Sequence, residues 1–158
     1  MARIGVIGTT SWGTTLAMLA KSAGADVTLW ARSEGEATAL RSEGENRRFL
    51  PNVKLPPSIN ITSSSSKAFS KSDLVIIAVP SNSMRANIRS VKDSISHSTV
   101  IVSATKGLEI NSGKRMTQVL EEELQDRPAT RLCALSGPNL VSEIVAGKPS
   151  SSVIASSN

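Results

Sequence analysis

Tyrosine is absent from these 158 residues, and tryptophan and phenylalanine occur only twice each. A core built with so little aromatic bulk must be aliphatic, made of Ile, Leu, Val and Ala. The same scarcity leaves few rings to stack on bases. Although the formal net charge is +5, the Lys and Arg residues are scattered along the chain. This pattern argues against a nucleic-acid partner and suits a site for a small phosphorylated ligand. A single cysteine, Cys133, excludes an internal disulfide and fits a reducing compartment. Within Leu132-Cys133-Ala134-Leu135 it reads as a small core residue rather than a nucleophile. The lone histidine, His97, stands between two serines ahead of a strand pattern and reads as a loop residue. No run approaches the roughly 18 uninterrupted apolar residues of a membrane span. The first residues pass into a strand pattern without the layout of a secretory signal. A cytoplasmic setting with no membrane partner is the expectation, and no metal site is expected.

What is present is an alternation of strand and helix patterns. Residues 3–7 form a short β-rich run ending at Gly8. At 11–23 the apolar residues Trp12, Leu16, Leu19, Ala20 and Ala23 recur at helical spacing, with Gly24 as C-cap. Residues 26–31 read as a second strand. Ser33, with Glu36 three residues on, has the form of a capping box opening a helix to about residue 41. Residues 43–57, with three prolines and the pair Arg47-Arg48, read as irregular. Further strands are expected at 59–62, 73–79, 99–104, 131–135 and 151–155. Further helices are expected near Ala68 and at 81–92, 113–124 and 139–145. Residues 73–79 are apolar almost throughout, as in a strand covered on both faces. Strands separated by helices imply parallel pairing through right-handed crossovers, and hence a Rossmann-type, doubly wound α/β domain over residues 1–158. Ligands in such sheets bind beyond the C-terminal strand ends, which directs attention to residues 8–13, 31–32, 79–82, 105–109 and 136–139.

Gly8-Thr9-Thr10-Ser11-Trp12-Gly13 stands where a dinucleotide fingerprint belongs, after the first strand and opening the first helix. Its first glycine makes the turn, its third allows close helix–strand packing, and the helix N-terminus offers N–H groups to phosphate. The second glycine is replaced by Thr10, whose β-carbon could crowd a pyrophosphate or whose hydroxyl could donate to it. The second strand ends in Trp30-Ala31-Arg32 rather than in Asp or Glu. An arginine there can pair with the 2′-phosphate of NADP, so NADP, or both NADP and NAD, is expected. Lys106 follows another buried strand pattern, and its ammonium can stabilise an alkoxide-like oxygen developing during hydride transfer.

Six motifs then stand in one order and spacing: Gly8 to Ala17, Leu29 to Arg32, Asn46 with Phe49-Leu50-Pro51, Ala78-Val79-Pro80-Ser81, Thr105-Lys106-Gly107-Leu108-Glu109, and Ser136-Gly137-Pro138 followed by Glu143. Together, over nearly the whole chain, they resemble the bacterial-type NAD(P)-dependent glycerol-3-phosphate dehydrogenases. The resemblance implies hydride transfer between NAD(P)H and dihydroxyacetone phosphate, and the reverse with glycerol 3-phosphate, in the supply of glycerophospholipid precursors. It implies cofactor contacts from Gly8, Thr10, Ser11, Trp12, Gly13, Arg32, Phe49, Pro80, Lys106 and Val141. Lys106 would also be the catalytic residue and bind substrate, together with Gly137 and Asn139. The family usually has Ser or Thr at the position of Asn139 and Ala at that of Val141.

The family's second, largely helical domain, with a further lysine, an aspartate and an Arg-Asn pair, is not in this sequence. The expectation is therefore a fragment or a natural half-protein that binds dinucleotide and turns over glycerol phosphate poorly. Surface left apolar by that absence makes a homodimer conceivable. A related hydroxyacid or 6-phosphogluconate-type dehydrogenase would keep the cofactor and change the substrate, but the loop at 46–51 and Thr105-Lys106-Gly107 argue against it. A non-catalytic NAD(P)H-binding module is the other alternative, favoured by the short length and by Thr10.

Overall fold

Val6 and Ile7 are neighbours in the first strand and both are fully buried, yet they belong to two different apolar clusters. Successive side chains on a strand point to opposite faces, so this sheet is covered on both sides. Ile76 and Ile77 repeat the pattern. The structure, a computed structural model, describes residues 1–157. In chain order its elements are β1 (Arg3–Ile7), α1 (Ser11–Ser22), β2 (Asp26–Trp30), α2 (Glu34–Glu43), β3 (Glu45–Asn46), β4 (Leu50–Lys54), β5 (Asn60–Thr62), α3 (Ser65–Phe69), β6 (Leu74–Ile77), α4 (Met84–Val91), β7 (Val100–Ser103), α5 (Met116–Glu123), β8 (Leu132–Ser136), α6 (Val141–Val145) and β9 (Val153–Ser156).

The main sheet has the order β5-β2-β1-β6-β7-β8-β9. Pairing is parallel from β5 to β8. From β1 the chain winds outward to β2 and β5, then returns to β6 on the other side of β1 and continues to β7 and β8. The direction reverses between β1 and β6, the place where such sheets take ligands. One face carries Val6, Val27, Leu29 and Ile76 against Leu16, Ala17, Ala37 and Leu40 of α1 and α2. The other carries Ile7, Val75, Ile77 and Ile101 against Phe69, Met84, Ile88, Val119 and Leu120 of α3, α4 and α5. The doubly wound Rossmann-type sheet expected from the sequence is present.

Several local expectations need correction. Residues 43–57 are not irregular throughout: β3 and β4 pair antiparallel as a small separate hairpin. The last strand, β9, pairs with β8 antiparallel rather than parallel. The chain after β8 stays at the C-terminal end of the sheet and re-enters there, Val153 pairing with Ser136, so β9 runs back along β8. α5 begins at Met116 rather than 113, and a 3₁₀ turn at Ser81–Ser83 precedes α4. Cys133 is a free thiol on β8 and only half-buried, because β9 beside it is exposed along its length. His97 is exposed in the loop before β7, as read. Among the described residues no helix is long and apolar enough to cross a membrane.

Candidate functional site

The turn between β1 and α1 is built by two close approaches. Gly8 has φ +117°, a conformation that side chains rarely adopt, and a Cβ there would meet the Ala78 carbonyl oxygen at 2.4 Å. At Gly13 a Cβ would lie 2.0 Å from the Gly8 carbonyl oxygen, so the first turn of α1 sits directly on the end of β1. Thr10 is the N-cap of α1: its Oγ1 accepts from Gly13 N at 3.1 Å and donates to Ala78 O at 2.9 Å. That hydroxyl proton is therefore spent on the end of β6, and Thr10 does not offer it to a phosphate. Thr14 N is bonded to Thr10 O. The leading N–H groups of a helix have no intrahelical acceptor, so those of Ser11 and Trp12 remain for an anion at the positive end of α1. The turn thus fits a dinucleotide pyrophosphate despite the replaced glycine.

Two residues that the sequence reading had not assigned to the turn hold it from outside. Asn46, on β3 and 3% exposed, donates through Nδ2 to Thr9 O at 2.7 Å and to Thr14 Oγ1 at 2.8 Å. Glu36, on α2, accepts from Thr9 Oγ1 at 2.5 Å and from the backbone N of Arg32 at 3.2 Å. The motif of Asn46 with Phe49-Leu50-Pro51 was the available signal for the first. Nothing local marks the second, whose partner Thr9 lies 27 residues away.

Beyond the end of β2 lies a cleft of about 490 Å³ lined by Arg32, Glu36, Asn46, Arg47, Arg48 and Phe49 among others. Phe49 is 40% exposed and Arg48 lies over its ring, with Cζ 4.7 Å from the centroid. A second cleft, of about 280 Å³, opens between the ends of β1, β6 and β7. It brings together Thr10, Trp12, Pro80, Lys106, Asn139 and Val141. Trp12 is fixed there by donation from Nε1 to Ala104 O at 3.1 Å. Lys106 lies with Nζ 5.9 Å from the centre of the Trp12 ring and donates to Gly137 O at 3.2 Å and Asn139 O at 3.5 Å. The Asn139 Oδ1 accepts from Ser150 and Ser152, while its buried Nδ2 has no partner. Every residue expected from the sequence to contact cofactor or substrate therefore falls on the turn or in one of the two clefts, except Gly137, which reaches the second through the carbonyl that Lys106 binds.

The loop carrying Lys106 is anchored at its far end. Arg85 of α4 grips Glu109 with two parallel bonds, both 2.8 Å, and also reaches Glu122 at 2.7 Å and Glu123 at 2.6 Å on α5. Arg89 adds two bonds to Glu123, and Lys114 pairs with Glu122. The Arg85 guanidinium and the Ser112 hydroxyl hold the Glu109 carboxyl down at about 2, well below its usual range. The surrounding carboxylates raise the pKa of Arg85 in turn.

Comparison with known proteins supplies the context for this geometry. The sequence profile of the NAD-dependent glycerol-3-phosphate dehydrogenase N-terminus matches residues 3–158. A Dehalococcoides mccartyi protein named glycerol-3-phosphate dehydrogenase (NAD(P)+) is 44% identical over 156 residues, covering 98% of this chain and 44% of its own. One of the same name from Corynebacterium glutamicum is 42% identical over 155 residues, covering 98% of this chain and 46% of its own. The crystal structure of a glycerol-3-phosphate dehydrogenase from Coxiella burnetii superposes with TM-score 0.89 at 30% identity, covering 99% of this chain and 47% of that one. The chain thus spans less than half the length of the relatives it matches.

Proposed function

The chain belongs to the family of NAD-dependent glycerol-3-phosphate dehydrogenase N-terminal domains, and from that premise we propose that it holds NAD(H) or NADP(H) across the two clefts for the interconversion of glycerol 3-phosphate and dihydroxyacetone phosphate. The observation that carries this reading is the meeting of the glycine turn with Lys106: Trp12, in the first turn of α1, places its ring 5.9 Å from Nζ, at the point where the sheet order reverses. The bound nicotinamide would supply the hydride acceptor or donor. Ser11 and Trp12 hold the pyrophosphate through backbone N–H groups at the helix N-terminus. Arg32 and Phe49 cover the adenosine end, and Gly8 and Gly13 keep the turn low enough for the approach. The apolar sides of Trp12, Pro80 and Val141 exclude water from the second cleft.

Lys106 exchanges its carbonyl partners for the substrate's oxygen and stabilises the negative charge that develops there. Gly137 and Asn139 hold Lys106 at the cleft through their backbone carbonyls until substrate takes their place. Among the described residues lining the second cleft, Lys106 is the one cation. A single lysine engaged at the reacting oxygen leaves no bidentate cation for the substrate phosphate, so these residues alone are expected to bind dinucleotide and to turn over glycerol 3-phosphate poorly.

Titration with NADPH and NADH, followed by tryptophan fluorescence, tests the reading. Trp30, 7% exposed and bonded to Ser63 O, is the second fluorophore, so Trp12→Phe measures the share of the quench that belongs to Trp12. Saturable quenching, reduced in Trp12→Phe and weakened for NADPH in Arg32→Ala, is expected. Absence of quenching together with absence of calorimetric heat for both nucleotides would overturn the reading.

A further inference from the structure

The helix α2 opens with half of a capping box. Ser33 Oγ accepts from Glu36 N at 3.2 Å, but the reciprocal bond, from Ser33 N to the Glu36 carboxylate, is not what the glutamate makes. Its carboxylate is turned out of the cap: Oε1 takes the Thr9 hydroxyl of the fingerprint turn and Oε2 takes the backbone N–H of Arg32. This places a carboxylate between the turn after β1 and the chain leaving β2. In an NAD site an acid directly following the second strand stands there and binds the ribose hydroxyls. In this chain Arg32 follows the strand instead, and the carboxylate arrives from the first turn of the next helix. Each carboxylate oxygen keeps a second lone pair after its protein bond, so Glu36 can still accept from a ribose hydroxyl.

We infer that Glu36 sets the choice between NAD(H) and NADP(H), an inference that rests on the dinucleotide reading above. Glu36 accepts from the free 2′-hydroxyl and repels a 2′-phosphate, while Arg32 attracts that phosphate from the same cleft. Arg32 forms no ion pair among the described residues, so its charge is available to a phosphate. The two side chains oppose each other, and the chain takes both nucleotides with a ratio that either residue can tip.

The alternative role for Glu36 is as a brace on the turn, which would act on both nucleotides alike. Dissociation constants for NADH and NADPH at one fixed ionic strength, on the wild-type chain and three variants, separate the two. Glu36→Gln is expected to shift the affinity ratio toward NADPH by on the order of tenfold, as loss of one charge at short range allows. Arg32→Ala is expected to shift it the other way. Thr9→Val removes the brace and keeps the charge, and should change both constants by one common factor. Glu36→Ala provides the same charge loss without an amide and must move the ratio in the same direction as Glu36→Gln. Equal effects of the Glu36 variants on both nucleotides, or a ratio change in Thr9→Val matching theirs, would overturn the inference and leave the cofactor site standing. Binding of neither nucleotide to the wild type would overturn both.

Discussion

Thr10 shows how one side chain can take over a glycine's place. Its hydroxyl caps α1 through Gly13 N and ties the turn to Ala78 O, both inside the protein. Thr10→Val keeps the β-branch and removes both bonds, so unfolding in urea should show a loss of about 1–2 kcal/mol. Dinucleotide affinity should stay within about threefold, since no phosphate contact is removed. Loss of affinity with stability intact would show instead that the hydroxyl serves the ligand. At this scale the glycines were legible in the sequence and the threonine was not. Gly8 and Gly13 answer to local backbone constraints, written in the spacing of a single turn. The role of Thr10 depends on a carbonyl 68 residues away. Glu36 was read as a cap for the same reason: its first partner is close in sequence, and the ones that decide its orientation are not.

Among the elements, the hairpin of β3 and β4 was the one hidden in the sequence. Three prolines and the basic pair masked it, because proline is depleted in paired strands. Pro51 is accommodated because β4 pairs only with the two-residue β3, and Asn52 takes φ 65° within β4, in the stretch where the register shifts between Leu50 and Lys54. The hairpin earns its place through Asn46, which carries it onto the cofactor turn. Asn46→Ala leaves the Thr9 carbonyl and the Thr14 hydroxyl, both in buried residues, without that donor. The expected cost is about 1–3 kcal/mol in urea unfolding, with weaker binding of NADH and NADPH together, since the displaced turn serves both. A stability loss with binding untouched would limit Asn46 to a packing role. The strands and helices of the main sheet were legible because apolar runs and helical spacing are properties of contiguous sequence. The antiparallel pairing of β9 was not, because it follows from where the chain re-enters the sheet, beside Ser136.

For the whole molecule, the acidic groups set how stability depends on pH. Hydrogen bonds from Arg3 hold the Asp73 carboxyl at about 2, and Arg85 with Ser112 holds Glu109 at about 2. Glu34, Glu45, Glu122 and Glu123 are lowered as well, each by a hydrogen-bonding partner. A carboxyl whose folded pKa is depressed binds fewer protons folded than unfolded. Its contribution is complete above the unfolded pKa of about 4 and is lost as pH falls toward the folded value. The urea midpoint should therefore be flat from pH 7 to about 5 and fall steeply between about 5 and 2.

The two strongest cases should then separate by salt. The Arg3–Asp73 pair is about half exposed on both sides, whereas the Arg85 and Glu109 side chains are 24% and 18% exposed. Exposed pairs are screened and partly buried ones much less so. With about 0.5 M NaCl, which shortens the screening length below the usual 8–10 Å, Asp73→Asn should alter the acid slope less than at low salt, leaving the part due to the Arg3 backbone N–H at 2.8 Å. Glu109→Gln should still flatten it, because Arg85 binds Glu109 through a two-pronged, partly buried contact between α4 and the Lys106 loop. Equal loss of both effects in salt would mean that the loop carrying Lys106 is held by packing, with the Arg85 cluster only decorating its surface.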